Sequence, residues 1–167
     1  MLERTIYQFK LICAILKVFL ETEVTHMIIY KEMQEVDIRN ALDFWKGVPG
    51  VHLHDNGEDT YEGVLLYLKR NPGCSFVAID NGDIVGAILC GHDGRRGFIN
   101  HLGVAVSYRR KGIATQLVER SLQQFKKEGI KKSALFVLNE NEEAMKFYRT
   151  IGWGEESIVK IFMKILS

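Results

Sequence analysis

The chain is 167 residues long and 47% hydrophobic, which suits one globular domain with a sizeable core and excludes extended disorder. Its 22 Lys plus Arg stand against 21 Asp plus Glu, a net charge of +1, so there is no global basic field for nucleic acid and any anion site is local. Cys13, Cys74 and Cys90 are odd in number and lack paired ligand spacing; this speaks against a disulfide framework or a metal centre and for a reducing, cytoplasmic setting, with Cys74 and Cys90 as buried small hydrophobes.

The first stretch, residues 1–26, carries an apolar run at 9–20 interrupted by Lys10 and Lys17. That run is too short to span a bilayer, and Glu21, Thr22, Glu23 and Val24 offer no small-residue cleavage site, so the pattern predicts an appended helix. Such a helix covers either the domain's own sheet or, through residues 6–20, a homodimer interface. Met27 opens a fresh pattern, Met-Ile-Ile-Tyr, read as a strand at 27–33 and as the start of the domain proper, residues 27–167.

Helical spacing then predicts helices at 37–45 and 60–69. Strands are expected at 75–79 and 83–91, joined antiparallel through Asp80, Asn81 and Gly82, a tight-hairpin signal. Gly91, Gly94 and Gly97 surround His92, Asp93, Arg95 and Arg96 in a polar connection to a strand at 98–106. Ile113, Ala114, Leu117, Val118, Leu122 and Phe125 recur at helical spacing, giving a helix to about residue 127 that ends before Gly129. A buried strand at 133–138, a helix at 142–151 stopped by Gly152 and a final strand at 157–166 complete the chain. The strand, helix, strand step from 98 to 138 needs a crossover and hence parallel pairing, so the fold class is α/β, a mixed sheet with helices on its faces.

The most informative segment is the turn Arg109, Arg110, Lys111, Gly112, Ile113, Ala114, which follows a strand and opens straight into a helix. A helix start presents unpaired backbone N–H groups and partial positive charge, a natural seat for phosphate. Gly112 removes a side chain that would block approach to the backbone, Ala114 keeps the next turn narrow, and three cations stand at the rim. Neither the three-glycine dinucleotide fingerprint nor a P-loop is present.

This turn resembles the Arg/Gln-x-x-Gly-x-Gly/Ala motif of the GNAT superfamily of N-acetyltransferases, and it falls after the expected strand Leu102, Gly103, Val104, Ala105, Val106. A second block, from Asn141 through Ala144, Phe147 and Tyr148 to Gly152 and Trp153, is similar to the family's Asn-x-x-Ala-x-x-Phe-Tyr and Gly-aromatic segment. The resemblance covers residues 27–166, including Gly82 and Gly86. It implies a mostly antiparallel sheet with one parallel, splayed pair of strands carrying Val104 and Phe136, helices on both faces, and acetyl-CoA as co-substrate without a metal. It further implies that Leu102 to Val106 line the pantetheine arm, with Val104 and Val106 lending backbone groups, and that Arg109 through Thr115 surround the pyrophosphate.

On a helix, Asn141, Ala144 or Met145, Tyr148 and Gly152 share one face. Asn141 is placed to anchor the pantetheine amides, Ala144 to let the arm pass, and Tyr148 to reach the sulfur; Phe147 belongs to the same cofactor block. Acetyl transfer to an amine needs a neutral nucleophile, donors for an oxyanion and a proton for the departing thiolate. Tyr148, a phenol with a reference pKa of about 10, is the candidate general acid. The resemblance implies a backbone N–H near Gly103 and Val104 as the oxyanion donor, and a glycine inside a strand is consistent with a bulge or a close approach there. His101, Glu140 and a water chain compete as the base.

The acceptor pocket is expected between residues 47–59 and 91–97, where His52, His54, Asp55, Glu58 and Asp59 offer charge for a cationic amine. The acceptor is then the amine of a small molecule or a protein N-terminus; no nucleic acid and no membrane are expected as partners. The competing reading is a regulatory module that binds acetyl-CoA without turnover.

Overall fold

The computed structural model describes residues 27–54 and 57–164; the expected helix within 1–26, Cys13 and Asp55 lie outside them. Five strands form one sheet in sequence order: β1 (Ile29–Glu32), β2 (Phe76–Asp80), β3 (Asp83–His92), β4 (Gly97–Val104) and β5 (Ser133–Leu135). The first three pairings are antiparallel and β4 with β5 is parallel, as the crossover argument requires. The hairpin between β2 and β3 turns through Asn81 at φ 50° and Gly82 at φ 92°, the left-handed pair that a two-residue turn demands.

Helices cover both faces. On one, α1 (Ile38–Lys46) and α2 (Tyr61–Arg70) bury Ile38, Ala41, Trp45 and Val64 against Val77, Ala87 and Leu89 of the sheet. Trp45 is fully buried, and its indole N–H donates to the Ala87 carbonyl at 3.3 Å, which satisfies the one polar atom that its burial would strand. On the other face, α3 (Ile113–Lys127) packs Ile113, Leu117, Val118 and Phe125 over Ala78, Val85, Ile88 and Cys90. This is the amphipathic stripe that the helical spacing predicts. The last helix is α4 (Glu142–Thr150); its Phe147 and Tyr148 pack against the same cluster.

Cys74 and Cys90 are buried free thiols. Burial pushes the Cys74 thiol up to about 12 and raises Cys90 further above the ordinary range, which suits small hydrophobes and not nucleophiles.

Three sequence expectations need correction. The strand predicted to reach Val106 ends at Val104, because Val106–Tyr108 wind into one turn of 3-10 helix, closed by the Tyr108 N–H on the Ala105 carbonyl at 2.8 Å. The strand predicted over 133–138 ends at Leu135, where pairing with β4 stops. The final strand predicted at 157–166 is absent over its described part, 157–164, where Ile158, Phe162 and Met163 are about nine-tenths exposed. An alternating pattern specifies which side chains share a face, not which neighbour supplies the ladder, and no described strand lies beside this segment.

Candidate functional site

The site is built by two strands that part company. β4 and β5 are paired only at Gly97, Phe98 and Ile99 opposite Ser133, Ala134 and Leu135. Beyond that point β4 continues to Val104 while Phe136, Val137 and Leu138 leave the ladder, and these three with Asn100, His101 and Leu102 line a cavity of about 410 Å³. The parting coincides with a β-bulge. Leu89 pairs with His101 and Cys90 with Ile99, so Asn100 is the extra residue on β4. A bulge bends its strand and re-aims neighbouring side chains; Asn100 and His101 both line the cavity. The irregularity expected near Gly103 thus lies at Asn100, whereas Gly103 makes the close approach, with Trp45, Phe44 and Val48 within 3.3 Å of where a Cβ would stand.

The basic turn joins the end of β4 to α3. Gly112 holds φ 80° and Arg110 holds φ 61°, and the Gly112 Cβ position is open. The glycine is therefore required for the backbone turn and also leaves the approach to the helix start clear. No side chain caps α3, so the N–H groups of Ile113, Ala114 and Thr115 keep the anion-binding character of a helix start. The cations are less uniform than the sequence suggests. The Lys111 ammonium lies 4.7 Å from the Tyr108 ring centre, and Tyr108 itself donates to Asp80 at 2.6 Å. Arg109 reaches away from the helix start to Glu143 at 2.7 Å and to the Val104 and Pro49 carbonyls at 3.4 Å. It ties the turn to α4 and to the connection after α1.

From α4, Asn141, Ala144 and Tyr148 line the cavity together, as their shared helical face predicts, while Phe147 packs edge-on to Tyr148 at 5.1 Å. Asn141 is the helix N-cap. Its Oδ1 accepts from the Ala144 N–H at 3.0 Å and its Nδ2 donates to the Gly50 carbonyl at 3.4 Å, so one end of the amide is committed to the helix. Tyr148 is held between Phe147 and Trp153. Burial raises its phenol well above the ordinary tyrosine range, which keeps the proton on the oxygen at neutral pH.

The remaining wall comes from the connection between α1 and α2 and from α2 itself. His52, His54, Glu58 and Asp59 line it, with Tyr67. Thr60 caps α2 by accepting the Gly63 N–H at 3.1 Å, and its hydroxyl donates to the Gly57 carbonyl at 2.7 Å. Gly63 is packed hard on that connection: a Cβ would meet the Gly57 carbonyl oxygen at 2.4 Å. His101 Nε2 and Asp59 Oδ1 are 2.6 Å apart. Tyr67, a second phenol that sequence reading missed, accepts from Asn100 Nδ2 at 2.7 Å, and burial raises it strongly. No spacing joins residues 59, 67, 100 and 101, so only the fold reveals them as neighbours. Glu140 stands exposed on the turn before α4 and is not among the cavity-lining residues.

A second cluster lies apart from this cavity, where Cys74, His92 and Glu128 bring their ligand-type atoms within 4.8 Å of one another. The Gly94 N–H donates to His92 Nδ1 at 3.1 Å, so the imidazole proton sits on Nε2 and is given to Glu128 at 2.6 Å. The cluster is thus satisfied as hydrogen bonds, with Glu128 held below its ordinary range chiefly by Gln124.

The comparisons with known proteins bear on residues already placed. The model of the acetyltransferase (GNAT) family matches residues 38–153. N-alpha-acetyltransferase 30 of Schizosaccharomyces pombe is 39% identical over 92 residues, 52% of this chain and 61% of that protein's length. Among solved structures, the PaiA N-acetyltransferase of Thermoplasma acidophilum in complex with coenzyme A superposes with a TM-score of 0.70 at 17% identity, covering 80% of this chain and 93% of that one. The aminoglycoside acetyltransferase AAC(6')-Iy with a coenzyme A bisubstrate analogue gives 0.66 at 19% identity, over 84% and 99%; at such identities the likeness is one of fold. Among the described residues no helix is long and apolar enough to cross a membrane.

Proposed function

The chain belongs to the acetyltransferase (GNAT) family, and from that premise we propose that it transfers an acetyl group from acetyl-CoA to a primary amine, of a peptide N-terminus or a small molecule, by direct attack. The domain that does so begins at Met27, with residues 1–26 as an extension. One observation carries the reading: the cavity opened by the parting of β4 from β5 is lined by both His101 and Tyr148. The family match and the N-alpha-acetyltransferase relative support the same chemistry, and the solved neighbours the same fold.

The residues present fit the co-substrate. An uncapped helix start behind a left-handed glycine suits a pyrophosphate, and the edge of β4 that β5 leaves open beyond Ile99 suits an amide-bearing arm. When bound, acetyl-CoA supplies the acetyl carbon as an activated thioester. The chain supplies the rest. Residues 109–115 hold the diphosphate, the β4 backbone around Gly103 and Val104 orients the arm and faces the developing oxyanion, and Ala144 leaves room beside it. His101 accepts a proton from the incoming ammonium, and Tyr148 delivers one to the departing sulfur. Positioned proton transfer of this kind is worth roughly 10²–10⁴-fold in rate.

The test is free-thiol release from acetyl-CoA by the full chain over a panel of N-terminal peptides, polyamines and aminoglycosides, beside a titration of acetyl-CoA binding. Saturable binding with acceptor-dependent thiol release is expected. Binding without release on any amine would leave a regulatory binding module in its place.

A further inference from the structure

Asp59 is out of place for an acid on a polar connection. Its side chain is 4% exposed, and a carboxylate so deeply buried is costly unless its oxygens are paired. Both are: Oδ2 accepts the His54 N–H at 2.8 Å and Oδ1 lies 2.6 Å from His101 Nε2. The carboxylate is therefore spoken for, and the expectation that Asp59 draws in a cationic amine gives way to a different role.

An ionised carboxylate only accepts, so the proton between them belongs to His101 Nε2 and the lone pair lies on Nδ1. Nδ1 has no hydrogen-bond partner among the described residues, and His101 lines the cavity. Its ring rests against Trp45 at 5.4 Å between centres, a fully buried tryptophan whose indole N–H is bonded to the Ala87 carbonyl. The other titratable groups lining the cavity are His52, His54 and Glu58 from the connection, Tyr67 from α2 and Tyr148 from α4.

We propose that Asp59 is the positioning residue for a His101 base, fixing the imidazole tautomer and steadying the imidazolium formed when the amine is deprotonated. Through the His54 N–H the same carboxylate fastens residues 51–54 as a cavity wall, so the wall and the base are assembled by one side chain. This rests on the acetyl-transfer reading above. In the step it serves, an ammonium proton passes to His101 Nδ1 while the Nε2 proton stays on Asp59's hydrogen bond. The freed nitrogen lone pair forms the carbon–nitrogen bond, and the carbon–sulfur pair departs on sulfur, which takes the Tyr148 proton. A second nitrogen proton restores the phenol, the third remains on the amide, and His101 returns its proton to solvent.

The experiment pairs kinetics with nitrogen NMR of histidine-labelled full chain, the His101 signals being assigned by their loss in His101→Gln. In the unmodified protein His101 should show a protonated Nε2 and a bare Nδ1, and Asp59→Asn should scramble that pattern. Asp59→Asn should lower kcat about 10²-fold, within the range for positioned proton transfer, and leave the KM for acetyl-CoA within about twofold. Asp59→Glu should restore part of the rate, and Asp59→Asn with His101→Gln should be no slower than His101→Gln alone. A protonated Nδ1 in the unmodified protein overturns the proposal whether or not an acceptor is known. So does a loss confined to the amine KM with kcat unchanged, which would leave Asp59 as a fastener of the wall only. Absence of thiol release with a correct tautomer would instead count against the acetyl-transfer reading.

Discussion

Residues 104–115 build the turn from sheet to helix out of consecutive backbone: a strand end, one 3-10 turn, a left-handed glycine and a helix start. The cavity wall is assembled from distant parts, with Asp59 on a connection, Tyr67 on α2 and Asn100 and His101 at a bulge in β4. The difference teaches where each region is vulnerable. Backbone N–H groups survive most side-chain changes and fail when a backbone angle is forbidden, whereas a wall made of side-chain hydrogen bonds fails when one loop shifts by a fraction of an ångström.

Three substitutions sharpen that contrast. The largest effect is expected at Tyr148, which belongs to neither region and serves both. Tyr148→Phe keeps the ring between Phe147 and Trp153 and removes only the proton, so kcat should fall about 10²-fold or more while acetyl-CoA affinity stays within about twofold. Single-turnover kinetics beside a binding titration would check this, and equal losses in both would reassign Tyr148 to binding.

Next is Gly63→Ala. The added methyl meets the Gly57 and Glu58 carbonyl oxygens at 2.4 and 2.6 Å, and overpacking of this sort costs about 1–3 kcal/mol. The connection carrying Asp59 has to move, so kcat/KM for the amine should drop about tenfold with acetyl-CoA binding unchanged. A parallel drop in both, measured by calorimetry and initial rates, would break the separation of the two regions.

The smallest is its mirror image, Gly112→Val. Nothing crowds the new side chain, but at φ 80° a residue with a Cβ pays about 1–2 kcal/mol. Acetyl-CoA affinity should weaken about fivefold with kcat nearly kept at saturating co-substrate. If instead kcat falls and affinity holds, the helix start is not the diphosphate seat.

Much of the fold was legible in the chain because its signals are local. Asn81 and Gly82 called for a left-handed turn, Ile113, Leu117, Val118 and Phe125 marked the buried face of α3, and Asn141, Ala144 and Tyr148 shared a helical face; the structure has each of these. The final strand expected at 157–166 is absent over its described part, 157–164, because alternation cannot name a pairing partner. The turn's cations could be read from adjacent residues, but the pairing of the Arg109 guanidinium with Glu143, 34 residues away, could not.

By itself the sequence determined the glycine turn into the start of α3, the place of the phenol on α4 and the kinship with the acetyltransferases, since each depends on short blocks of neighbouring residues. Only the tertiary structure decided where the sheet opens, that Asn100 is the bulge, and that Asp59 ends buried against His101 across 42 residues of chain. Hydrogen bonds between distant segments leave no period in a sequence: the same acid and imidazole read as solvated until packing removes the water between them.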